Sequence, residues 1–412
     1  MDTLRGSCVV GQSGGPTAVI NSSAAGIIIS ALEHDEITHV YAMENGIVGL
    51  LEDRLFDCAK ESIDELKLLR YTPSSALGSC RYKLAEYTDD DSDYRRILEI
   101  FIKYDIRYFF YIGGNDSMDT CNKISKFMQN VGYECRIIGV PKTIDNDLFG
   151  TDHCPGFGTA AKFIATVTAE ISKDNQVYGT KSVVVIEAMG RNAGWLAASA
   201  ALASVIGDGP DLVYLPENVF SVDRFISDVR ALSEQKNSII AVVSEGVRNN
   251  EGRFISEYGS TLSKQKDVFG HAQMGGLAAT LAGYINSQTG LKTRGIELSL
   301  LQRASAHIMS GRDSEEAYRV GVDAVRYATV GHSDVMVAFE RELKEEYCCK
   351  TLLRPLVEVA NKERLLPQQY INRQKNNITD EFIKYALPLI EGNIDYPKKN
   401  GLPVYAKLKK MI

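Results

Sequence analysis

No uninterrupted apolar run in these 412 residues reaches the length that spans a bilayer, so no membrane-crossing helix is expected. The N-terminus, Met1-Asp2-Thr3-Leu4-Arg5-Gly6, passes straight into a strand-like stretch and has no secretory-signal pattern. An excess of cationic residues is also missing. The formal net charge of −7 argues against nucleic acid or an anionic membrane as partner, because both select basic surfaces. Cysteines are present, at positions 8, 58, 80, 121, 135, 154, 348 and 349, but none falls in C-x-x-C or mixed Cys/His zinc spacing. They read as reduced thiols of a cytoplasmic protein, most of them small core side chains. Short-period repeats and low-complexity tracts are absent, which excludes solenoids and arrays.

With 44% hydrophobic and 24% charged residues, the chain can bury a sizeable core, in roughly two or three domains. Eight short apolar runs recur with helix-length intervals between them: Cys8–Val10, Ile37–Tyr41, Tyr108–Ile112, Ile137–Val140, Val183–Ile186, Leu212–Leu215, Ile239–Val243 and Val335–Phe339. Solid rather than alternating runs fit strands buried on both faces. Their alternation with helices predicts an α/β protein with doubly wound parallel sheets. Ala160, Phe163, Ile164, Val167 and Ile171 repeat at helical spacing, with Thr159 as a candidate N-cap. This helix is expected to carry the chain from a first unit into a second, whose strand-helix series runs to about residue 290. After Arg341 the composition turns charged, as in Thr379-Asp380-Glu381-Phe382-Ile383-Lys384-Tyr385-Ala386, and predicts a mostly helical extension without chemistry of its own.

The chemistry-bearing residues gather at predicted strand ends. Pro141-Lys142-Thr143-Ile144-Asp145-Asn146-Asp147 follows the Ile137–Val140 run, so a lysine, a hydroxyl and two carboxylates stand at a carboxyl edge, where open α/β sheets bind ligands. Gly11-Gln12-Ser13-Gly14-Gly15-Pro16-Thr17-Ala18 follows the first run. It is either a tight turn or a cradle of N–H groups for an anion. It matches neither the dinucleotide nor the Walker glycine pattern. Gly113-Gly114-Asn115-Asp116-Ser117 repeats the arrangement after Tyr108–Ile112. One such turn is unremarkable, but three on one sheet point to a phosphate. Leu77-Gly78-Ser79-Cys80-Arg81 offers a guanidinium, either solvated or poised for a phosphoryl group. Further along, Glu187-Ala188-Met189-Gly190-Arg191, Ser244-Glu245-Gly246, Arg294 and Arg303 read either as ordinary strand-end residues or as a sugar-phosphate shell.

Taken in order, Ser13-Gly14-Gly15, Gly78-Ser79-Cys80-Arg81, Gly113-Gly114-Asn115-Asp116-Ser117, Thr143-Ile144-Asp145-Asn146-Asp147, Met189-Gly190-Arg191, Glu245-Gly246 and Gln302-Arg303 resemble the phosphofructokinase family from about residue 7 to about 341. The Thr-Ile-Asp-Asn-Asp stretch is the most specific of these. The resemblance implies two Rossmann-like subdomains. Residues 1–155, completed by about 295–341, would bind the phosphoryl donor, and 156–294 would bind fructose 6-phosphate, with 342–412 as the extension. It implies Mg²⁺-dependent phosphoryl transfer to the sugar 1-hydroxyl. Asp145 would take the proton, Thr143 and Asp147 would hold the reacting centre, and Arg81 would stabilise the migrating group. Gly14 and Gly15 would contact the donor. Met189, Gly190, Arg191 and Glu245 would bind the sugar phosphate, with Arg294, Leu300 and Arg303 around its 6-phosphate. One of the two arginines would come from a neighbouring copy, so a homo-oligomer, dimer or tetramer, is implied.

Two positions bear on the donor. ATP-using relatives usually read Gly-Gly-Asp-Gly-Ser and have glycine before Thr-Ile-Asp, whereas this chain has Asp116 and Lys142. A carboxylate at 116 would repel an α-phosphate, and an ammonium at 142 would neutralise a small leaving phosphate. Both changes resemble the branch that uses pyrophosphate reversibly in glycolysis, giving fructose 1,6-bisphosphate and phosphate. The alternatives are an ATP-dependent kinase and a non-catalytic regulatory subunit that binds sugar phosphate. Asn115 stands where many relatives carry a Mg²⁺-associated aspartate, so Asn115 and Asp116 are the implied metal ligands. Leu300 replaces a common histidine, and Ser182 a subunit-bridging arginine for which Lys181 is the nearest substitute.

Overall fold

The computed structural model describes residues 4–258, 276–342, 344 and 346–411. The described residues form eleven strands in two sheets: β1 (Gly6–Gln12), β2 (Ile37–Met43), β3 (Leu55–Asp57), β4 (Ile106–Gly113), β5 (Arg136–Pro141), β6 (Ser182–Ala188), β7 (Leu212–Tyr214), β8 (Ser238–Ser244), β9 (Lys292–Glu297), β10 (Val335–Arg341) and β11 (Cys349–Pro355). A separate two-strand ribbon pairs Lys398–Lys399 with Leu402–Pro403. The first sheet has seven strands in the order β11-β10-β5-β4-β1-β2-β3, and the second has four, β7-β8-β6-β9. Pairing is parallel throughout, except for the antiparallel edges β3 and β11.

Each of the eight apolar runs forms a strand, and nearly all their residues are buried because helices cover both faces. β3, β9 and β11 have no such run. Lys292-Thr293-Arg294-Gly295-Ile296-Glu297 is an open edge strand with mostly exposed side chains, so no apolar pattern is required of it. After β9 the chain returns through helix Gly311–Thr329 to β10 in the first sheet.

Helix Phe157–Gln176 leads from the first sheet to the second. Ala160, Phe163 and Ile164 are buried, and Val167 and Ile171 pack against the same core. Thr159 is not its N-cap. Gly156 holds that position at φ 107°, and the first N–H groups are satisfied by a remote carboxylate. The Gly156 and Thr159 N–H groups donate to Asp313 at 2.9 and 2.8 Å.

The expectation of a mostly helical extension over 342–412 fails. Its helices are short, Leu356–Val359 and Asp380–Ala386, and β11 lies along β10 as part of the first sheet. β11 carries lysine and arginine because its edge is partly exposed, which hides it from an apolar-run reading. Nor is the segment an appendage. Leu366, Ile371, Phe382, Ala386 and Leu389 join the core around Trp195. Tyr370, Phe382 and Tyr385 surround that indole at ring distances of 5.5–6.4 Å.

A buried ion cluster ties the loop after β5 to helix Gly311–Thr329. His153 sits 2.9 Å from Asp152 and 2.8 Å from Glu316, stacked on Phe339. Burial alone would lower its pKa, but Glu316 and Asp152 outweigh it and hold the imidazole up at about 9. The folded value lies above the unfolded one, so the stabilisation is fully present below about pH 6.5 and is lost as pH rises through about 9. His153→Ala removes a charged partner from both carboxylates, although Arg341 still pairs with Asp152 and Arg319 with Glu316, and is expected to cost about 1.5–3 kcal/mol at pH 6. The loss should be clearly smaller at pH 9.5, read from urea midpoints at the two pH values.

Candidate active site

β5, β4 and β1 are neighbours in the first sheet, so the three turns at their carboxyl ends lie side by side. The Lys142 N–H continues the β4–β5 pairing by donating to Gly113 O at 3.0 Å. Its side chain is buried and turns across the sheet edge, where Nζ donates to Gly15 O at 2.6 Å. Burial brings its pKa down to about 8, against the opposing pull of Asp145, while Arg303 and Arg81 push the same way as burial. Gly14 has φ 73°, and a side chain there would sit against Lys142 Nζ. A side chain at Gly15 would press on Arg303 Nη1. Two cations thus converge on this glycine turn, where an added side chain would crowd them.

The loop beyond Lys142 is shaped by its own polar groups. The Asp145 N–H donates to Thr143 Oγ1 at 3.1 Å. Asn146 adopts a left-handed φ of 53°, which asparagine tolerates better than most residues. Its buried amide accepts from Cys154 N–H at 2.9 Å and donates to Tyr385 OH at 3.0 Å. Asp145 and Asp147 are left on either side of this anchored residue. Burial raises Asp145 to about 6, with Glu245 adding to it and Lys142 and Arg303 opposing. Burial, Asp145 and Glu363 raise Asp147 to about 7. The two carboxyls therefore titrate as a coupled pair well above the ordinary carboxylate range.

Arg81 is brought to the same edge by its turn. Ser79 Oγ donates to Gly14 O at 2.7 Å, and the Gly14 N–H donates to Cys80 O at 3.2 Å. Arg81 is exposed, and its charge reaches Lys142 and Arg303. Asn115 and Asp116 begin helix Asn115–Asn130 directly after the second glycine pair. Asp116 is exposed, whereas Asn115 Oδ1 is buried without a hydrogen-bond partner in the protein. An orphaned carboxamide oxygen of this kind is costly unless a cation or water satisfies it.

The second sheet supplies the other wall. β6 and β8 are paired neighbours and end together at Ala188 and Ser244. Met189 N–H donates to Gln302 Oε1 at 3.1 Å, and Gly190 N–H to Glu245 Oε1 at 3.3 Å. Gly190 has φ 123°, and its carbonyl accepts from Ser244 Oγ at 2.5 Å. Burial raises Glu245 to about 7, with Glu187 adding to it and Arg191 opposing.

Arg303 and Arg294 have different fates. Arg303 lies in the cleft beside Gly15, where burial and Arg81 lower its pKa and Asp145 opposes them. Arg294 faces Val184 in the β6–β9 register, five residues short of Met189 and so roughly 16 Å back along the strand. It is exposed on the open edge, 3.9 Å from Asp174, and does not join the cleft of its own chain. Leu300 sits just before the short helix Leu301–Ala304 and is 57% exposed. Ser182 is buried and engaged with Asn175, so it offers nothing outward, while Lys181 is exposed.

The remaining residues at the cleft had no signal in the sequence. Glu363 and Arg364 come from the extension expected to be inert. Arg364 N–H donates to Asp147 O at 2.7 Å, and Glu363 accepts from Asn192 Nδ2 at 2.8 Å. They lie more than two hundred residues from Asp145 in a charged stretch with no motif, and only the fold brings them there.

A paired-sheet fold with glycine turns, a lysine and raised carboxylates at one edge is the architecture of a phosphoryl-transfer enzyme. The phosphofructokinase family model matches residues 7–328, and the chain belongs to that family. A curated relative from Halomonas elongata, named pyrophosphate–fructose 6-phosphate 1-phosphotransferase, is 44% identical over 403 residues, covering 97% of this chain and 95% of the relative. A relative of the same name from Methylococcus capsulatus is 44% identical over 401 residues, covering 96% and 94%. The crystal structure of a pyrophosphate-dependent phosphofructokinase from Nitrosospira multiformis superposes with a TM-score of 0.89 at 40% identity, covering 98% of this chain and 97% of that one.

Proposed function

We propose that this chain transfers a phosphoryl group reversibly from inorganic pyrophosphate to the 1-hydroxyl of fructose 6-phosphate, giving fructose 1,6-bisphosphate and phosphate in glycolysis. The observation that carries this reading is the buried Lys142 ammonium, hydrogen-bonded to Gly15 O at 2.6 Å beside Arg303 and Asp145. A compact cation there suits a small, densely charged leaving phosphate. The names of the relatives favour the same donor over ATP. The chain retains Asp145, Asp147 and Arg81, which a purely regulatory subunit would not need, and this weighs against that alternative.

In this reading Asp145 accepts the 1-hydroxyl proton as the sugar oxygen attacks the near phosphorus of pyrophosphate. The bridging P–O bond breaks, and the electron pair leaves with the distal phosphate, neutralised by Lys142. Arg81 spreads charge from the migrating group, joined by Arg303, which was expected at the 6-phosphate but lies beside Gly15, and Gly14 and Gly15 let the donor approach the backbone. Such transfer depends on in-line positioning and charge compensation rather than covalent catalysis. Thr143 and Asp147 hold the reacting centre. Met189, Gly190, Arg191 and Glu245 orient the sugar phosphate. Asp116 discriminates against an α-phosphate.

A Mg²⁺ ion fits the donor end, because the orphaned Asn115 Oδ1 and the Asp116 carboxylate supply the oxygen ligands a hard cation takes. When bound, Mg²⁺ would neutralise charge on the donor phosphates. Arg294, and Leu300 as a lesser contact, are assigned to the 6-phosphate. For Arg294 we infer that the cleft served belongs to a neighbouring copy in a dimer or tetramer. All eight cysteines are free thiols, as a cytoplasmic setting requires. Among the described residues no helix is long and apolar enough to cross a membrane.

Side-by-side assays with pyrophosphate and ATP at equal Mg²⁺ test the reading. Turnover with pyrophosphate and little with ATP is expected. Strong ATP turnover with none from pyrophosphate would refute it.

A further inference from the structure

The segment Glu363–Leu366 touches both walls of the cleft within four residues. On the first-sheet side, Glu363 pairs with Leu148, and the Arg364 N–H donates to Asp147 O at 2.7 Å. The Arg364 guanidinium donates to the carbonyls of Thr151 and Asp152 and, at 3.0 Å, to Tyr385 OH. Tyr385 OH is also the acceptor for Asn146, so both ends of the Asp145–Asp152 loop hang on one network. On the second-sheet side, Glu363 holds Asn192, which in turn accepts from Arg248 at 3.1 Å. Trp195 Nε1 donates to Arg364 O at 3.0 Å, and the indole lies 4.3 Å from the guanidinium. Glu217 closes the link by accepting from Gly194 and Leu366 N–H at 2.8 and 2.9 Å.

We propose that Glu363 and Arg364 are positioning residues that set the proton-accepting loop against the sugar-phosphate loop, with Glu363 also placing a further carboxylate, besides Glu245, at the Asp145–Asp147 pair. The inference rests on the phosphoryl-transfer reading. A planar fork with several donors can satisfy two carbonyls and a phenol at once, which an ammonium cannot do in the same geometry. The two loops come from different sheets, and this segment hydrogen-bonds to both, so it couples their positions. Misplacing reacting groups by about 1 Å can cost about 10²-fold in rate. Arg364 itself stays charged although buried, since burial is outweighed by Tyr385, Cys154 and Asp152.

Glu363 has an electrostatic consequence that pure scaffolding lacks. Asp145 is faced by Lys142 and Asp147 on its own loop, Arg303 from helix Leu301–Ala304, Glu245 after β8, and Glu363. Of these, Glu245 and Glu363 raise Asp145, and Glu363 also raises Asp147. Removing the Glu363 charge therefore favours the ionised, proton-accepting form at lower pH.

The test uses the full-length enzyme with pyrophosphate and fructose 6-phosphate. Glu363→Gln keeps an acceptor for Asn192 and should keep the wild-type melting temperature. Its acid limb in kcat/KM should move to lower pH, and a profile superimposing on wild type would overturn the role of Glu363. Arg364→Met should lower kcat about 10-fold or more and raise KM for fructose 6-phosphate, with Arg364→Lys recovering only part. A folded Arg364→Met with wild-type kcat and KM would overturn the positioning role. If it fails to fold, Arg364→Lys carries the same comparison. A wild-type enzyme inert with pyrophosphate would instead count against the activity itself, which separates the two failures.

Discussion

Asp145→Asn is expected to reduce kcat about 10³-fold, with KM for fructose 6-phosphate changed severalfold at most. General acid–base groups contribute roughly 10²–10⁴ in rate, and the carboxamide keeps the side-chain shape, leaving the backbone N–H bond to Thr143 Oγ1 in place, while removing the proton acceptor. Such a loss corresponds to about 4 kcal/mol of transition-state stabilisation. Two further readouts follow from the charges at the site. Wild-type activity should fall as pH drops through about 6–7, where Asp145 and Asp147 take up protons, because the base works only when ionised. In the variant the Lys142 pKa should fall below its present value of about 8, since Asp145 is its main counterweight to burial. Steady-state kinetics from pH 5.5 to 8 would measure both. A kcat within tenfold of wild type would remove Asp145 from the role of base.

Lys142→Gly combined with Asp116→Gly should lower pyrophosphate-dependent kcat by about 10²-fold or more, with ATP turnover appearing or rising from background. Losing a buried charge that neutralises the leaving group removes stabilisation worth several kcal/mol in a dehydrated site. Removing the Asp116 carboxylate relieves the repulsion expected for an α-phosphate. The single variants separate the effects: Lys142→Gly should lose pyrophosphate activity without gaining ATP use, whereas Asp116→Gly should lose less of it, through the missing Mg²⁺ ligand, and should be the one that admits ATP. KM for fructose 6-phosphate should hold steady, because its proposed shell at Met189, Gly190, Arg191 and Glu245 lies on the other sheet. Assays with both donors on all three variants decide it. An unchanged donor preference in the double variant would show that these positions do not choose the donor.

The sequence alone determined what depends on near neighbours. A solid run such as Tyr108–Ile112 is a buried strand wherever it folds, and two glycines after it make a sharp turn to a helix. The chemistry of Lys142, Thr143, Asp145 and Asp147 is likewise local, because six consecutive residues hold it. Strands whose side chains face water escaped the same logic. β9 and β11 are edges, so no buried face imposed an apolar pattern on them.

The tertiary structure decided what depends on distance. Arg303 enters the cleft and Arg294 does not, a division set by where β9 lies against β6 rather than by either residue's flanking sequence. The raised pKa values of Asp145 and Asp147 are properties of enclosure, which no stretch of sequence contains. Glu363, Arg364 and Tyr385 reach the Asp145–Asp152 loop only because the chain crosses both sheets before returning to it. Propensity and turn chemistry act over a few residues. Burial, charge proximity and the tie between two sheets arise once the whole chain has closed around them.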